Sequence, residues 1–170
     1  TIANSAFASC SFVERVDMPN VKIIEASAFN KCFSLRSVNM PKVTAIGPNA
    51  FFGCLWIDAV DIPNVTTIGE AAFCCCSDLQ KVVLGNVDSI KSEAFIECTS
   101  LDTFRITAAT PPVLEDDVFK DTPSDVLIQV PCGASSLYER VEGWNNFKNY
   151  EDRAPEVTVM SNDEKMGLVI

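Results

Sequence analysis

Eight cysteines carry the most reactive side chains of this 170-residue chain, and five of them recur at intervals of 22 residues. Each of the five ends a copy of the motif Ala-Phe-x-x-Cys. These repeated cysteines are Cys10, Cys32, Cys54, Cys76 and Cys98. Thiols can form disulfides, bind a soft metal ion or act as nucleophiles. The chain has no histidine, which excludes Cys–His and Ser–His–Asp catalysis and removes the usual partner of cysteine in mixed zinc sites.

Apolar residues recur with the same 22-residue period as the cysteines. One series is Val13, Leu35, Ile57, Leu79 and Leu101, and another is Val16, Val38, Val60, Val82 and Phe104. Further series begin at Met18, Val21 and Ile24. So many series recurring together indicate a solenoid, in which each coil contacts only its neighbours. Stacking is required because a single coil buries too little apolar area to offset the entropy of ordering its backbone.

Each repeat predicts two extended stretches and one turn region. Residues 35–41 alternate apolar and polar side chains and end at a proline, which is typical of a short strand. Residues 43–46 form a second extended stretch, and residues 47–54 are predicted to form one or two helical turns. The predicted strands stack as one parallel ribbon through residues 16–18, 38–40, 60–62, 82–84 and 104–106. The expected fold class is therefore an α/β solenoid of 22-residue coils with a C-terminal cap.

The stacked coils decide what the repeated cysteines can do. Neighbouring thiols would lie about 4.8 Å apart, one per coil. Stacking holds their Cβ vectors parallel, whereas a disulfide needs them turned toward each other. The chain has no pair of Cys-x₂-Cys motifs that could form a metal site, so the sequence predicts buried, reduced thiols that pack as small apolar groups. Cys75 belongs to a series expected to face solvent, and Cys132 lies in the C-terminal segment without an evident partner.

The charge pattern excludes further function classes. The net charge is −10 and no basic stripe is present, which argues against binding to nucleic acid or to anionic membrane surfaces. No run of 18 apolar residues occurs, so we expect no membrane insertion in this fragment. The chain also lacks a glycine-rich phosphate loop. No catalytic residue, cofactor or metal is expected, and an enzyme is not expected.

The repeat also resembles a known family. The pattern Leu-x-x-Val-x-Met-Pro at 35–41, followed by Ile-Gly-x-x-Ala-Phe-x-x-Cys at 46–54, resembles the BspA-like (Treponema-type) leucine-rich repeats. This resemblance covers roughly residues 1–106, and residues 109–147 resemble the closing segment of such arrays in Bacteroides-type bacteria. It implies a right-handed leucine-rich repeat superhelix in a secreted or cell-surface protein that binds other molecules.

The chain is expected to divide into three regions. Residues 1–106 form five coils, residues 107–150 an atypical last coil and cap, and residues 151–170 a linker with the start of a following β module. Phe119 continues the phenylalanine series at a spacing of 24, which marks the atypical coil. The first residue falls inside a repeat, so we expect the chain to be a fragment of a longer protein.

Within the cap, residues 126–130 are predicted to form a strand, and residues 134–142 a helix that places Leu137, Tyr138 and Val141 on one face. Trp144, Phe147 and Tyr150 are expected to pack in the core; a cage for a ligand is the alternative. Residues 157–160 and 166–170 are predicted to form two further strands joined by a turn.

Two surfaces are candidate binding sites. The ribbon face carries outward polar residues, namely Arg15, Asp17, Ser37, Asn39, Asp61, Lys81, Thr103 and Arg105. The second surface follows the cysteines of the first three coils and consists of Phe12, Phe33, Leu55 and Trp56, which we call the edge patch. An exposed apolar cluster marks an interface. The alternatives are that the ribbon residues are merely solvated and that the patch residues fold over the coil edge or pack on further repeats.

The expected function is a non-catalytic surface or secreted module for protein recognition or adhesion, with a protein or glycan ligand. An extracellular or cell-surface location follows from the family resemblance alone. The alternative is a purely structural spacer within a larger surface protein, and a region accessory to an enzyme elsewhere in the full chain is a third possibility.

Overall fold

The repeats contribute short strands to two parallel sheets, which together form a parallel β-solenoid of about six turns. The computed structural model describes residues 1–154. In chain order the strands are β1 (Arg15–Asp17), β2 (Ile23–Ile24), β3 (Ser37–Asn39), β4 (Ala45–Ile46), β5 (Ala59–Ile62), β6 (Thr67–Ile68), β7 (Lys81–Leu84), β8 (Ser89–Ile90), β9 (Thr103–Ile106), β10 (Val113–Leu114), β11 (Leu127–Pro131) and β12 (Asn149–Arg153). The helices are α1 (Ser135–Tyr138) and a 3-10 helix (Trp144–Asn146).

The two sheets confirm the predicted solenoid. The ribbon sheet has the order β1-β3-β5-β7-β9-β11-β12, and the second sheet has the order β2-β4-β6-β8-β10. All neighbouring strands are parallel, and Val60 pairs with Val82 while Ile46 pairs with Ile68, as the 22-residue period requires. In all five coils the ribbon strands begin one residue earlier than predicted, at Arg15 in β1 and at Thr103 in β9.

A column of phenylalanine rings forms the centre of the core. The six rings belong to Phe7, Phe29, Phe51, Phe73, Phe95 and Phe119. Neighbouring rings are nearly parallel, with centroids 5.1 to 5.7 Å apart. The position of Phe119 is confirmed, because its ring stacks on Phe95 despite the spacing of 24. The two extra residues lie between β9 and β10, since Val113 pairs with Ser89 across the second sheet.

The prediction of helical turns at residues 47–54 is wrong, because this segment forms a series of turns. Asn49 and Gly53 have left-handed backbones, with φ of 54° and 68°, and the same two positions are left-handed in every coil. Their N–H groups donate to carbonyl oxygens of the next coil, at Glu70 and Cys74. Hydrogen bonds that run along the solenoid axis replace the bonds to residue i−4 that an α-helix would need.

The cap covers the last coil with aromatic side chains, as expected. Tyr138 and Trp144 are fully buried, and Phe147 is nearly so. The hydroxyl of Tyr138 donates to the carbonyl oxygen of Ala108 at 2.8 Å, and Nε1 of Trp144 donates to that of Pro112 at 2.9 Å. Their polar atoms are thus paired inside an apolar environment.

Three features of the C-terminal region differ from the expectation. The helix spans Ser135–Tyr138 only, and Leu137 is 44% exposed because this short helix turns it outward. Val141 lies partly buried against the core. Strand β12 was not predicted; it crosses the boundary expected at residue 150, so that residues 151–153 belong to the ribbon sheet. The strands predicted at 157–160 and 166–170 lie outside the described residues.

Candidate functional site

The edge patch is exposed in the folded chain. The exposed fractions are 95% for Phe12, 44% for Phe33, 37% for Leu55 and 46% for Trp56. They lie at equivalent places on three successive coils, one or two residues after a repeated cysteine. The other large exposed apolar side chains among the described residues, Ile23, Val113 and Leu137, lie outside this position of the repeat. Four of the seven thus share one edge of the solenoid.

Two contacts orient the aromatic rings of the edge patch. The guanidinium carbon of Arg36 lies 4.5 Å from the ring centroid of Trp56, which is a cation–π distance. The ring of Phe33 approaches the next coil, where its Cε1 atom would lie 3.9 Å from a Cβ placed on Gly53. Both rings therefore rest partly on the solenoid while about half of each side chain remains exposed to solvent.

Polar side chains replace the patch in the fourth and fifth coils. The hydroxyl of Ser77 donates to the carbonyl oxygen of Leu55 at 3.3 Å, and that of Thr99 donates to the carbonyl of Ser77 at 3.4 Å. Asp78 and Ser100 at the next position are exposed. The fold thus accepts small polar residues at this edge, so its geometry does not require the large side chains of the first three coils.

The ribbon face brings its predicted residues onto one sheet in register. Exposed residues of this set are Arg15, Asp17, Asn39, Asp61 and Lys81, whereas Ser37, Thr103 and Arg105 are partly buried. Nδ2 of Asn39 donates to Oδ1 of Asp17 at 2.8 Å across β1 and β3. Val83 interrupts the row, with only 9% of its surface exposed. The ribbon face therefore carries both positive and negative side chains. It follows the edge patch closely along the chain, since β5 begins at Ala59, three residues after Trp56.

Burial of the cysteine ladder is confirmed for Cys32, Cys54, Cys76 and Cys98, which have no solvent exposure. Each Sγ donates to the backbone carbonyl of a phenylalanine 25 residues earlier, at 3.1 to 3.3 Å. Burial raises the pKa of Cys54 and of Cys98 to about 12. These thiols are poor nucleophiles because so little thiolate forms near neutral pH. The sequence analysis did not predict these thiol hydrogen bonds. The constant Phe-x-x-Cys spacing is the signal that could have indicated them, because it repeats the same pair of residues in every coil.

The remaining four cysteines differ in accessibility, and Cys10, the first of the ladder, is only partly buried rather than buried as predicted. Cys74 is buried, and its Sγ lies 3.3 Å from that of Cys75. Cys75, which was expected to face solvent, is only partly exposed and donates to Oε2 of Glu97 at 3.3 Å. Burial raises the pKa of Cys75 as well. Cys132 is exposed, so the most accessible thiol lies in the cap.

Two kinds of element are absent from residues 1–154. No three cysteine or acidic side chains of this region group closely enough to hold a metal ion. None of its helices has the length and apolarity needed to span a bilayer.

Similar proteins share the repeat and the fold. Residues 1–124 match the family described as BspA type leucine rich repeat region, in six copies. The crystal structure of a leucine rich cell surface protein from Faecalibacterium prausnitzii A2-165 superimposes with a TM-score of 0.56 at 30% identity, covering 69% of this chain and 38% of that one. A leucine-rich repeat protein from Bacteroides ovatus ATCC 8483 gives a TM-score of 0.51 at 18% identity, covering 89% of this chain and 47% of that one. No curated protein sequence matches.

The two similar structures support different conclusions because their sequence identities differ. At 18% identity the Bacteroides protein shows the fold alone. This chain spans less than half the length of either protein. The six matched copies include the coil that contains Phe119, in addition to the five coils read from the cysteine spacing. The family match over residues 1–124, the 22-residue coils and the stacked phenylalanines agree, and this chain belongs to the BspA-type leucine-rich repeat family.

Proposed function

We propose that this chain is a non-catalytic recognition module of a cell-surface or secreted protein, and that the edge patch binds its partner. The observation that carries this proposal is the exposure of Phe12, Phe33, Leu55 and Trp56 along one edge of three successive coils. A surface location is supported by the likeness to the F. prausnitzii protein, which is described as a cell surface protein. We propose a protein as the principal ligand class, with glycans as the alternative class to be tested.

The composition of the patch suits a binding hot spot. Tryptophan and arginine are enriched among the residues that dominate interface energies, and Arg36 stacks on Trp56 at 4.5 Å. Burying apolar surface contributes about 25 cal/mol per Å². The rigid coils beneath the rings reduce the entropy lost on binding, since their backbones are already ordered.

The ribbon face supplies a polar rim to this apolar centre. Stable interfaces bury about 800 Å² on each partner, which is more than four side chains offer. Asn39 and Asp61 are exposed on β3 and β5, which begin four residues after Phe33 and three residues after Trp56 in the same coils. A polar rim around an apolar centre is the usual arrangement at protein interfaces.

The test compares the wild-type chain with the double variant Phe33→Ser/Trp56→Ser. Binding to arrays of immobilised proteins and glycans is measured together with self-association by light scattering and the melting temperature. We expect the double variant to lose binding by about tenfold or more while its melting temperature stays within a few degrees, because serine already occupies this edge in the fourth coil. Val113→Ser and Leu137→Ser are matched controls, since both side chains are exposed outside the patch.

Two outcomes would contradict the proposal. A loss of about 3–5 kcal/mol in unfolding free energy with unchanged association would show that the aromatic residues serve packing. Substitutions on the ribbon face would then become the next test. A wild-type chain that binds neither array and does not self-associate would favour the structural spacer.

A further inference from the structure

Two adjacent cysteines on the fourth coil bring their thiol groups together. Cys74 and Cys75 directly precede the ladder cysteine Cys76, and both are free thiols. The Sγ atoms of Cys74 and Cys75 lie 3.3 Å apart. No other coil has a cysteine at either of these two positions of the repeat. The solenoid therefore does not need this pair for stacking, in contrast to the ladder cysteines.

The turn that carries the pair holds the two sulfur atoms in place. The backbone of Cys75 is left-handed, with a φ of 60°, and its N–H donates to the carbonyl oxygen of Ile96 on the next coil at 2.9 Å. The N–H of Cys74 donates to the carbonyl oxygen of Ala71 at 3.2 Å. Sγ of Cys75 donates to Oε2 of Glu97, so Cys74 is the donor in the contact between the two sulfurs. The pair is thus ordered before any ligand arrives.

The pair can be reached from solvent on the side of Cys75. Cys75 is partly exposed, whereas Cys74 is only 6% exposed. One coil earlier, the position of Cys75 is occupied by Gly53, which has no side chain. A Cβ placed on Gly53 would have only side-chain atoms of Lys31 and Phe33 within 4 Å among the described residues. The space between Gly53 and Cys75 is therefore open to a small reagent.

The geometry favours an atom that bridges the two sulfurs over a direct disulfide. A trans peptide bond fixes the Cα atoms of neighbouring residues about 3.8 Å apart, whereas disulfides usually need about 4.4–6.8 Å. No peptide bond of the described residues is cis. Burial raises the pKa of Cys74 and of Cys75, so both are neutral thiols near neutral pH. The fitting ligand thus reacts with two thiols at once and carries their protons away.

The distance between the sulfurs indicates which kind of atom fits. Two bonds of about 2.3 Å, the length of a zinc–thiolate bond, would meet at about 90° over sulfurs that lie 3.3 Å apart. This angle is narrower than the tetrahedral angle of structural zinc sites. It suits a pyramidal atom that carries a lone pair and forms strong bonds to sulfur, which describes trivalent arsenic.

We propose that Cys74 and Cys75 together bind a trivalent organoarsenical through both sulfur atoms. Each sulfur forms one bond to arsenic, the arsenic–oxygen double bond of the arsine oxide breaks, and the two thiol protons leave on that oxygen as one water molecule. Arsenic stays trivalent, so the step needs neither an oxidant nor a reductant. The proposal uses no residue of the edge patch and does not depend on the function proposed for that surface.

The experiment adds phenylarsine oxide to the full 170-residue chain under native conditions. Intact mass spectrometry measures the number of phenylarsine groups bound, and peptide mapping locates them. We expect one group per chain on the peptide that contains Cys74 and Cys75. Dithiothreitol should remove it, whereas 2-mercaptoethanol at the same thiol concentration should not, because a monothiol cannot replace both bonds at once. No adduct on this peptide, or equal removal by the two reagents, would overturn the proposal.

Variants assign the binding to the pair. Cys75→Ser should weaken phenylarsine oxide binding by about 100-fold or more, because the second bond can no longer form within the same molecule. The coil should accept serine there, since Ser9 occupies the equivalent position with a φ of 61°. Cys132→Ser is the matched control and should leave binding unchanged, because it removes an exposed thiol outside the pair.

The melting temperature of each variant shows whether it is folded. Cys74→Ser repeats the test at the other sulfur, should Cys75→Ser unfold. Wild-type affinity in a folded variant of either cysteine, or a loss of binding in Cys132→Ser, would refute the assignment to Cys74 and Cys75.

Discussion

The Sγ atom of Cys54 donates a hydrogen bond of 3.2 Å to the backbone carbonyl oxygen of Phe29, one coil earlier in the solenoid. The same carbonyl accepts the backbone N–H of Cys32 at 3.2 Å. Each such carbonyl thus receives one donor from its own coil and one from the next. Cysteine suits this position because it is small and apolar yet carries a weak donor. The ladder is therefore a structural device that links neighbouring coils.

Thiol accessibility predicts an order of alkylation under native conditions. Cys132 should react first because it is exposed, and Cys10 and Cys75 should follow because they are only partly buried. Cys32, Cys54 and Cys76 should react only after denaturant is added, since they have no solvent exposure. Timed iodoacetamide labelling with peptide mass spectrometry measures this order. Rapid native labelling of Cys54 would contradict the buried ladder.

The buried thiols also predict how stability depends on pH. Burial raises the pKa of Cys54 and Cys98 to about 12 in the folded chain. In the unfolded chain a cysteine thiol has a pKa of about 8.5, so the unfolded state loses protons first as pH rises. The contribution of each buried thiol to the free energy of unfolding is fully present below about pH 8.5. It decreases toward about pH 12, by up to about 1.4 kcal/mol per pH unit for each thiol.

Urea unfolding between about pH 7.5 and about pH 10 measures this effect before unfolded tyrosines ionise. Cys54→Ala is the control, because removing one buried thiol should make the pH dependence less steep whatever the variant's absolute stability. A free energy of unfolding that stays constant over this range would show that the ladder thiols ionise equally in both states.

The phenylalanine column predicts a large cost for a substitution in its middle. The ring of Phe51 lies between those of Phe29 and Phe73, with centroid distances of 5.2 Å to each. Phe51→Ala should lower the free energy of unfolding by about 3–5 kcal/mol, because it leaves a cavity between neighbouring coils. Phe33→Ala is the matched control and should cost much less, since this ring is 44% exposed. Similar urea midpoints for the two variants would contradict the assigned roles.

The left-handed turn positions predict a stabilising substitution. Glu93 has a φ of 59°, which glycine adopts without the steric cost that a Cβ imposes. Glu93→Gly should therefore raise the free energy of unfolding by about 0.5–1 kcal/mol, after allowing for the larger entropy of glycine in the unfolded chain. Glu70→Gly is the control at a residue without positive φ, where glycine should destabilise by a similar amount. The two urea midpoints should thus shift in opposite directions, and a parallel shift would contradict the strain assigned to Glu93.

The periodic part of this protein was predictable from the sequence because a solenoid is nearly one-dimensional. Each coil contacts only its neighbours, so a constant spacing places equivalent residues next to each other without knowledge of the rest of the chain. The pairing of Val60 with Val82 follows from the period alone. Phe119 could be assigned to its column as well, because its ring must continue the same stack.

Features that depend on local backbone conformation could be seen only in the tertiary structure. The apolar pattern of residues 47–54 fits helical turns, but hydrogen bonds to the next coil favour left-handed residues at Asn49 and Gly53. The direction of Leu137 likewise depended on where α1 ends, which its periodicity did not reveal. The exposure of the edge patch could be proposed from its residue types, whereas its orientation by Arg36 could not.

The pairing of strand β12 was beyond prediction for a different reason. Arg105, Gln129 and Arg153 belong to three strands, and Arg153 lies in β12, whose sequence matches no repeat. Parallel pairing of β12 with β11 places Glu151 in register with Gln129 and Arg153 in register with Pro131 at the end of the ribbon sheet. The sequence by itself thus determined how the coils repeat and which side chains fill the core, because those depend on spacing. Only the tertiary structure decided which polar groups meet at the end of the sheet, because that depends on how an irregular segment pairs with the last coil.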